Sequence, residues 1–402
     1  MSDPVSYKEH FSRFIAAAPG RLHFAAHSHH LWPDVTFDAQ AACWQDAARL
    51  ADRKWDRIFG EIIPDTQRRI AAVLGLSDPA TLAFAPNTHE FLRRLLSCLP
   101  AGRPGRILCS DGEFHSFTRQ VARLEEEGLL QVTRVPVEPF GDFAGRFVEA
   151  AGKGVDGRGA AAGGFDMVYV SQVFFNSGFA IDALDDFVGQ LAKEDALLVV
   201  DGYHGFLARA TDLSGIEGKA FYLSGGYKYA MAGEGVCFLH APPGLCARPR
   251  DTGWYAAFGA LEQPGGGAVA YAGDARRFLG ATFDPVGLYR QRAVLAWLAD
   301  LGLTAADIHD HALRLQCLFL EELDRKAPSC LPLGSLLLDP RRVPCGNFLT
   351  FDLGAAAAGA LHGRLLDADI ITDYRGGRLR FGFGLYQDAA EVVQLVDRLA
   401  GL

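Results

Sequence analysis

The chain has 402 residues, of which 49% are hydrophobic and 22% charged, and its formal net charge is −9. These values are ordinary for a soluble globular protein of one or two domains. The acidic charge and the lack of Lys/Arg-rich runs argue against nucleic acid or an anionic membrane as partner. No apolar run reaches the ~18–20 residues that span a bilayer, and the N-terminus lacks a signal-peptide pattern. We therefore expect a cytoplasmic protein.

The first half of the chain alternates short apolar strands with helices. The predicted elements are helices 34–56, 61–76 and 89–99, strand 106–109, helix 116–128, strands 130–137 and 166–173, helix 184–193, and strands 196–200, 220–223 and 236–240. Strands separated by helices indicate a mainly parallel sheet that is covered on both faces. The Gly-rich stretch 151–164 is predicted to be a flexible surface loop, and a second Gly-rich patch follows at 264–267.

The last third of the chain has a different pattern. Helices at 286–301, 305–326, 355–367 and 388–400, with a strand at 379–383, predict a smaller α+β domain. We therefore divide the chain into an N-terminal segment (1–20), a large domain (21–285) and a small C-terminal domain (286–402).

Cysteine and histidine give little evidence for a metal site. Eight Cys are scattered without a CxxC pair, which suits reduced thiols in the cytoplasm. The cluster His27-Ser28-His29-His30 has no accompanying metal-binding spacing. We expect it to be a polar loop beside a cofactor or substrate.

A lysine and an aspartate carry the main functional signal. Lys228 follows the small-residue turn Ser224-Gly225-Gly226, and Asp201 ends the apolar run Ala196–Val200. Taken alone, Lys228 is explained as a surface lysine and Asp201 as a helix cap. Together they suit pyridoxal phosphate (PLP), which a lysine holds as a Schiff base while an aspartate keeps the pyridine nitrogen protonated.

Other residues fall in the order that a PLP site needs. Asn87 and Thr88 precede a helix, whose first amides bind phosphate, and Tyr227 is a further candidate phosphate donor. Either Phe114 or His115 is placed to cover the pyridine ring. Two more cofactor contacts are predicted at His204 and Gln172.

Arg380 lies in an otherwise apolar strand, Leu379–Phe383. A buried arginine needs an anion, and its planar fork suits the α-carboxylate of an amino-acid substrate. The alternative is an internal salt bridge, with Asp373 as the partner.

In this order the residues resemble the fold-type I PLP enzymes, within them the class V aminotransferase group, and most of all kynureninase. The likeness lies in Tyr227-Lys228-Tyr229, in Asp201-x-x-His204, in Gly253-Trp254-Tyr255 and in the stretch Arg380–Tyr386. The resemblance implies an aspartate aminotransferase-like fold with a mainly parallel seven-stranded sheet. It also implies a homodimer in which Trp254 and Thr282 serve the partner's phosphate.

Kynureninase-like chemistry would be the hydrolysis of a β–γ carbon–carbon bond in a γ-keto amino acid. Departures such as Thr282-Phe283-Asp284 argue against kynurenine itself as the substrate. The alternative is a class V aminotransferase that passes an amino group to a keto acid. A cysteine desulfurase or other PLP lyase is less favoured, because 370–379 has no cysteine. A binding or regulatory protein is least favoured, because Lys228 and Asp201 are both present.

Overall fold

The computed structural model describes residues 6–154, 164–191, 196–260 and 267–402. The strands are β1 (Leu22–His23), β2 (Leu82–Ala85), β3 (Gly105–Ser110), β4 (Leu130–Val135), β5 (Met167–Ser171), β6 (Leu197–Asp201), β7 (Ala220–Gly225), β8 (Cys237–His240), β9 (Phe348–Asp352), β10 (Ile370–Ile371), β11 (Asp373–Arg375) and β12 (Arg378–Gly382). The helices are α1 (Ser12–Ala17), α2 (Val35–Leu50), α3 (Lys54–Arg57), α4 (Ile63–Leu74), α5 (Thr88–Leu96), α6 (His115–Glu126), α7 (Phe143–Lys153), α8 (Leu184–Leu191), α9 (Val286–Asp300), α10 (Ala305–Lys326), α11 (Ala355–Asp367) and α12 (Ala389–Ala400).

The predicted seven-stranded sheet is confirmed. Its strand order is β2-β8-β7-β6-β5-β3-β4, and the five strands from β7 to β4 run parallel. Strand β8 is antiparallel to both of its neighbours. The central strands are almost wholly apolar because helices cover both faces of the sheet. Two apolar cores lie on its opposite sides, one around Leu198 and Val200 and the other around Val199.

The parallel register aligns the carboxyl ends of the central strands. Ser171 at the end of β5 pairs with Asp201 at the end of β6, and Asp201 pairs with Leu223 on β7. In open α/β sheets ligands bind at this edge. The register therefore places Asp201 and the turn after β7 at one end of the sheet.

A smaller sheet, β11-β12-β9, is antiparallel and has a core around Phe319 and Phe381. Strand β1, near the N-terminus, pairs in parallel with β10. Helix α9 shares the core of the large sheet through Leu288 and Val294. The division of the chain after residue 285 remains our prediction.

Several predicted bounds differ from the structure. The helix expected over 34–56 is interrupted at Ala51, which has a positive φ of 49°. Helix α7 was not expected, and it extends into the Gly-rich stretch 151–164; residues 155–163 of that stretch lie outside the described residues. Most of the patch 264–267 lies outside them as well. No helix in the described ranges is both long and apolar enough to cross a bilayer.

Candidate active site

Lys228 lies on the tight turn between β7 and β8. A Cβ at Gly226 would come within 2.7 Å of the Gly233 carbonyl oxygen, so the turn requires glycine there. The lysine is 5% exposed, and in the described ranges no carboxylate lies within ion-pair distance of its Nζ. Burial lowers the pKa of Lys228 to about 7; Asp201 acts in the opposite direction, and Arg380 lowers the pKa further. A buried amine with this pKa is available as a nucleophile and as a base near neutral pH.

His204 is the hydrogen-bond partner of Lys228. Its Nε2 lies 2.5 Å from Lys228 Nζ, and its Nδ1 has no partner among the described residues. Burial, and then the charge of Lys228, lowers the pKa of His204 well below its usual value. The imidazole is therefore neutral and accepts from the lysine through Nε2.

Asp201 is a buried carboxylate held by two donors. The Tyr169 hydroxyl donates to Oδ2 and the Tyr203 amide donates to Oδ1, each at 2.9 Å. Burial raises the pKa of Asp201, whereas the Tyr203 amide and the charge of Lys228 act in the opposite direction. Such a carboxylate is suited to pair with a cationic ring nitrogen.

A cavity of about 280 Å³ joins these groups, and Lys228, His204 and Asp201 all line it. Asn87 and Thr88, at the start of α5, line it as well. The Asn87 side chain accepts from the Glu90 amide (3.1 Å), so it caps the helix. Backbone amides at a helix start suit a phosphate.

Aromatic side chains form much of the wall. Lys228 Nζ lies 5.3 Å from the centre of the Phe114 ring and 4.7 Å from that of Tyr203. Tyr227 also lines the cavity. His115, by contrast, is exposed at the start of α6 and is not among the lining residues. Of the two candidates for covering a ring, the structure therefore places Phe114 at the cavity.

Three predicted cofactor contacts lie away from the cavity. The Gln172 side chain donates to the Thr211 hydroxyl and accepts from the Tyr222 hydroxyl. Successive residues of an extended chain face opposite sides, so Gln172 faces away from the cavity that Ser171 and Val173 line. Trp254 is 43% exposed and stacks on Tyr255. Thr282 is exposed too.

Arg380 is buried on β12 and forms the internal salt bridge that the sequence left open. Its Nη2 donates to Asp373, directly opposite on β11, and its Nη1 donates to the Phe175 carbonyl. Arg380 does not line the cavity, but Phe175 does. The Phe175 segment therefore separates the guanidinium from the cavity.

Sequence reasoning missed a buried carboxyl group at the same sheet edge. Glu113 accepts from the Ser110 hydroxyl (2.5 Å) and from the Ser171 hydroxyl (2.6 Å). Burial raises the pKa of Glu113 to about 7. Its position just after β3 could have indicated this, because the parallel strands β3, β5 and β6 end at the same edge of the sheet.

These groups fit PLP. The cavity contains a buried lysine, a buried aspartate, a helix start and an aromatic ring. Among the described residues, Lys228 has no carboxylate partner and Nδ1 of His204 has no hydrogen-bond partner. The described residues contain no group of three or more His, Cys, Asp or Glu side chains that could hold a metal ion.

Comparison with known proteins gives a family and a fold. The model of the family "Aminotransferase class-V" matches residues 47–332. Isopenicillin N epimerase of Streptomyces clavuligerus is 28% identical over 379 residues, which are 88% of this chain and 89% of the relative.

Solved structures share the fold at low identity. A mutant of C-DES with glycine covalently linked to its PLP cofactor has a TM-score of 0.79 at 18% identity, covering 98% of this chain and 99% of that one. The apo cysteine desulfurase from Thermococcus onnurineus NA1 has a TM-score of 0.77 at 16% identity, covering 100% and 99%. The comparisons therefore support the class V group and do not support the closer likeness to kynureninase.

Proposed function

This chain belongs to the class V aminotransferase family and is a PLP-dependent enzyme, and from that premise we propose that it moves the α-proton of an amino-acid substrate. The observation that carries the proposal is the buried contact between Lys228 and His204 in a cavity that Asp201 also lines. Bound PLP supplies an electron-accepting ring conjugated to the substrate nitrogen.

We assign the holding of the cofactor to residues that line the cavity. Asp201 would pair with the ring nitrogen, and Phe114 would stack on the ring, since both line the cavity. The start of α5, at Asn87 and Thr88, would receive the phosphate, with Tyr227 as a further donor. His204 would turn its unpartnered Nδ1 or its Nε2 toward the polar substituents of the ring.

Lys228 would take the α-proton and return it. Lys228 is a buried amine whose pKa burial lowers to about 7, so it would hold and release the α-proton of a substrate that PLP would carry. A base of this kind is most effective when its pKa is close to the working pH. Lys228 is only 5% exposed, so little bulk water reaches it to compete for the proton.

Arg380 would bind the α-carboxylate. Its Nη1 now donates to the Phe175 carbonyl, so binding requires that carbonyl to give way to the carboxylate. A bidentate arginine–carboxylate pair also fixes the direction of the Cα–H bond.

A homodimer remains part of the proposal. Trp254 and Thr282 lie outside the cavity of their own chain and are accessible to a second copy. They would serve the phosphate of the partner, as the family resemblance implies.

The step after proton removal has more than one candidate outcome. The Tyr227-Lys228-Tyr229 and Asp201-x-x-His204 motifs favour kynureninase-like hydrolysis, and transamination uses the same first steps. A relative that this chain matches over 89% of its length is isopenicillin N epimerase, and this similarity favours return of the proton to the opposite face of Cα. Desulfuration is disfavoured because Cys345, the cysteine nearest in sequence before Arg380, is buried beside Phe179.

A panel of L-amino acids incubated with the PLP-loaded enzyme in D₂O tests the proposal. We expect at least one substrate to lose its Cα–H signal in proton NMR. Chiral chromatography detects inversion, and mass spectrometry detects cleavage or a keto acid. If the enzyme binds PLP but exchanges no Cα proton across the panel, the proposed function is wrong.

The pH dependence of cofactor attachment tests the state of Lys228. Only a neutral amine attacks an aldehyde, and burial lowers the pKa of Lys228 to about 7. The rate of attachment to the apoprotein should therefore rise with pH and level off just above neutrality. An ordinary lysine would continue to gain about tenfold per pH unit up to about pH 10.

Stopped-flow absorbance after mixing apoprotein with PLP gives this profile. Nα-acetyl-lysine under the same conditions corrects for the ionisation of the reagent. A corrected rate that still climbs steeply well above neutrality would contradict the lowered pKa of Lys228.

A further inference from the structure

His27 is a fully buried histidine whose two ring nitrogens lack hydrogen-bond partners among the described residues. Its Nε2 lies 4.0 Å from Asp373 Oδ2, which is too far for a hydrogen bond. The ring stacks on Phe348 at 4.7 Å, and a Cβ at Gly382 would collide with Nδ1. Buried polar groups in folded proteins are nearly always hydrogen-bonded. The exception points to a ligand that completes the site.

The segment that carries His27 is fixed on two sides. The Gly382 amide of β12 donates to the Phe24 carbonyl at 2.7 Å. On the other side, the His30 amide donates to the carbonyl of Tyr227, the residue before the active-site lysine, at 3.0 Å. His27 therefore lies between the strand of the buried arginine and the turn of the lysine.

We propose that His27 donates a second hydrogen bond to the α-carboxylate that Arg380 receives. The inference rests on the proposed function. The positive charge of Arg380 is already offset by Asp373, so an incoming carboxylate meets an almost neutral pair and needs another donor. Arg380 Nε is likewise without a partner in the described ranges, so both side chains hold a donor from which a carboxylate can accept.

The charge state of His27 suits this role. Burial, followed by the charges of Arg380 and Lys228, lowers the pKa of His27 well below its usual value. A neutral imidazole always retains one N–H donor. His27 can therefore bind an anion without adding a charge to the empty site.

Ligand titrations of the PLP-loaded enzyme test the inference, with L-alanine and L-alaninamide as probes and visible absorbance as the readout. We expect wild type to prefer the acid. His27→Phe should weaken binding of L-alanine about 10- to 100-fold, the loss expected for one hydrogen bond to a charged group. Its binding of L-alaninamide should be unchanged. His27→Gln, which keeps an N–H donor, should restore part of the loss.

Equal weakening of both probes would show that His27 is only structural, and no weakening would show that it does not touch the carboxylate. Either result overturns the inference while leaving the proposed function intact. If His27→Phe does not take up PLP, the acid-to-amide ratio is read from His27→Asn, whose shorter side chain withdraws the donor. A wild-type enzyme that does not prefer L-alanine to L-alaninamide would overturn this inference, whereas one that exchanges no Cα proton across the amino-acid panel would contradict the proposed function itself.

Discussion

Lys228→Ala is expected to reduce the rate of Cα–H exchange by roughly 10²- to 10⁴-fold, the range for loss of a positioned general base. The same change removes the amine that binds the cofactor covalently, so the visible absorbance of the lysine-bound cofactor should disappear. Both effects follow from one atom, Nζ, which lies 2.5 Å from His204 inside the cavity.

The matched control is Lys219→Ala. Lys219 is exposed just before β7, on the same stretch of chain, and its loss should leave exchange and absorbance unchanged. Exchange is followed by proton NMR in D₂O with the substrate found in the amino-acid panel. A Lys228→Ala enzyme that exchanges the α-proton as fast as wild type would refute the assignment of the base.

Asp201→Asn is expected to lower the same rate by roughly 10²- to 10³-fold, the scale for removing one preorganised charge stabiliser. Asparagine has nearly the same shape and can still accept from the Tyr203 amide. What it lacks is the negative charge that holds a proton on the ring nitrogen. Cofactor uptake should therefore persist while the rate falls.

Asp186→Asn on α8 is the control for this change, since Asp186 is exposed and does not line the cavity. Circular dichroism shows whether each variant is folded. If Asp201→Asn keeps the wild-type rate, the carboxylate does not tune the cofactor. Loss of the native circular dichroism spectrum would instead assign Asp201 a structural role.

Local patterns were enough to predict the sheet and its main functional pair. Each of the two patterns spans only a few residues: one is an apolar strand that ends in Asp201, and the other is a glycine turn that carries Lys228. The parallel order of the strands then brings the two together, because parallel strands end at one edge. Phe114 and the start of α5 follow from the same rule.

Contacts between distant parts of the chain could not be predicted in this way. Arg380 and Phe175 are 205 positions apart, and no local pattern shows that a carbonyl occupies the guanidinium. Gln172 was predicted as a cofactor contact, but strand alternation turns it toward Thr211. The unpartnered ring of His27 depends on how the N-terminal segment packs on β12.

The account depends most directly on Lys228 as the covalent anchor of the cofactor. Sodium borohydride reduction of the PLP-loaded enzyme, followed by proteolysis and mass spectrometry, identifies the modified residue. The account predicts that the reduced cofactor is found on the peptide that contains Lys228. A modification confined to another lysine, or no modification of an enzyme that has taken up PLP, would contradict it.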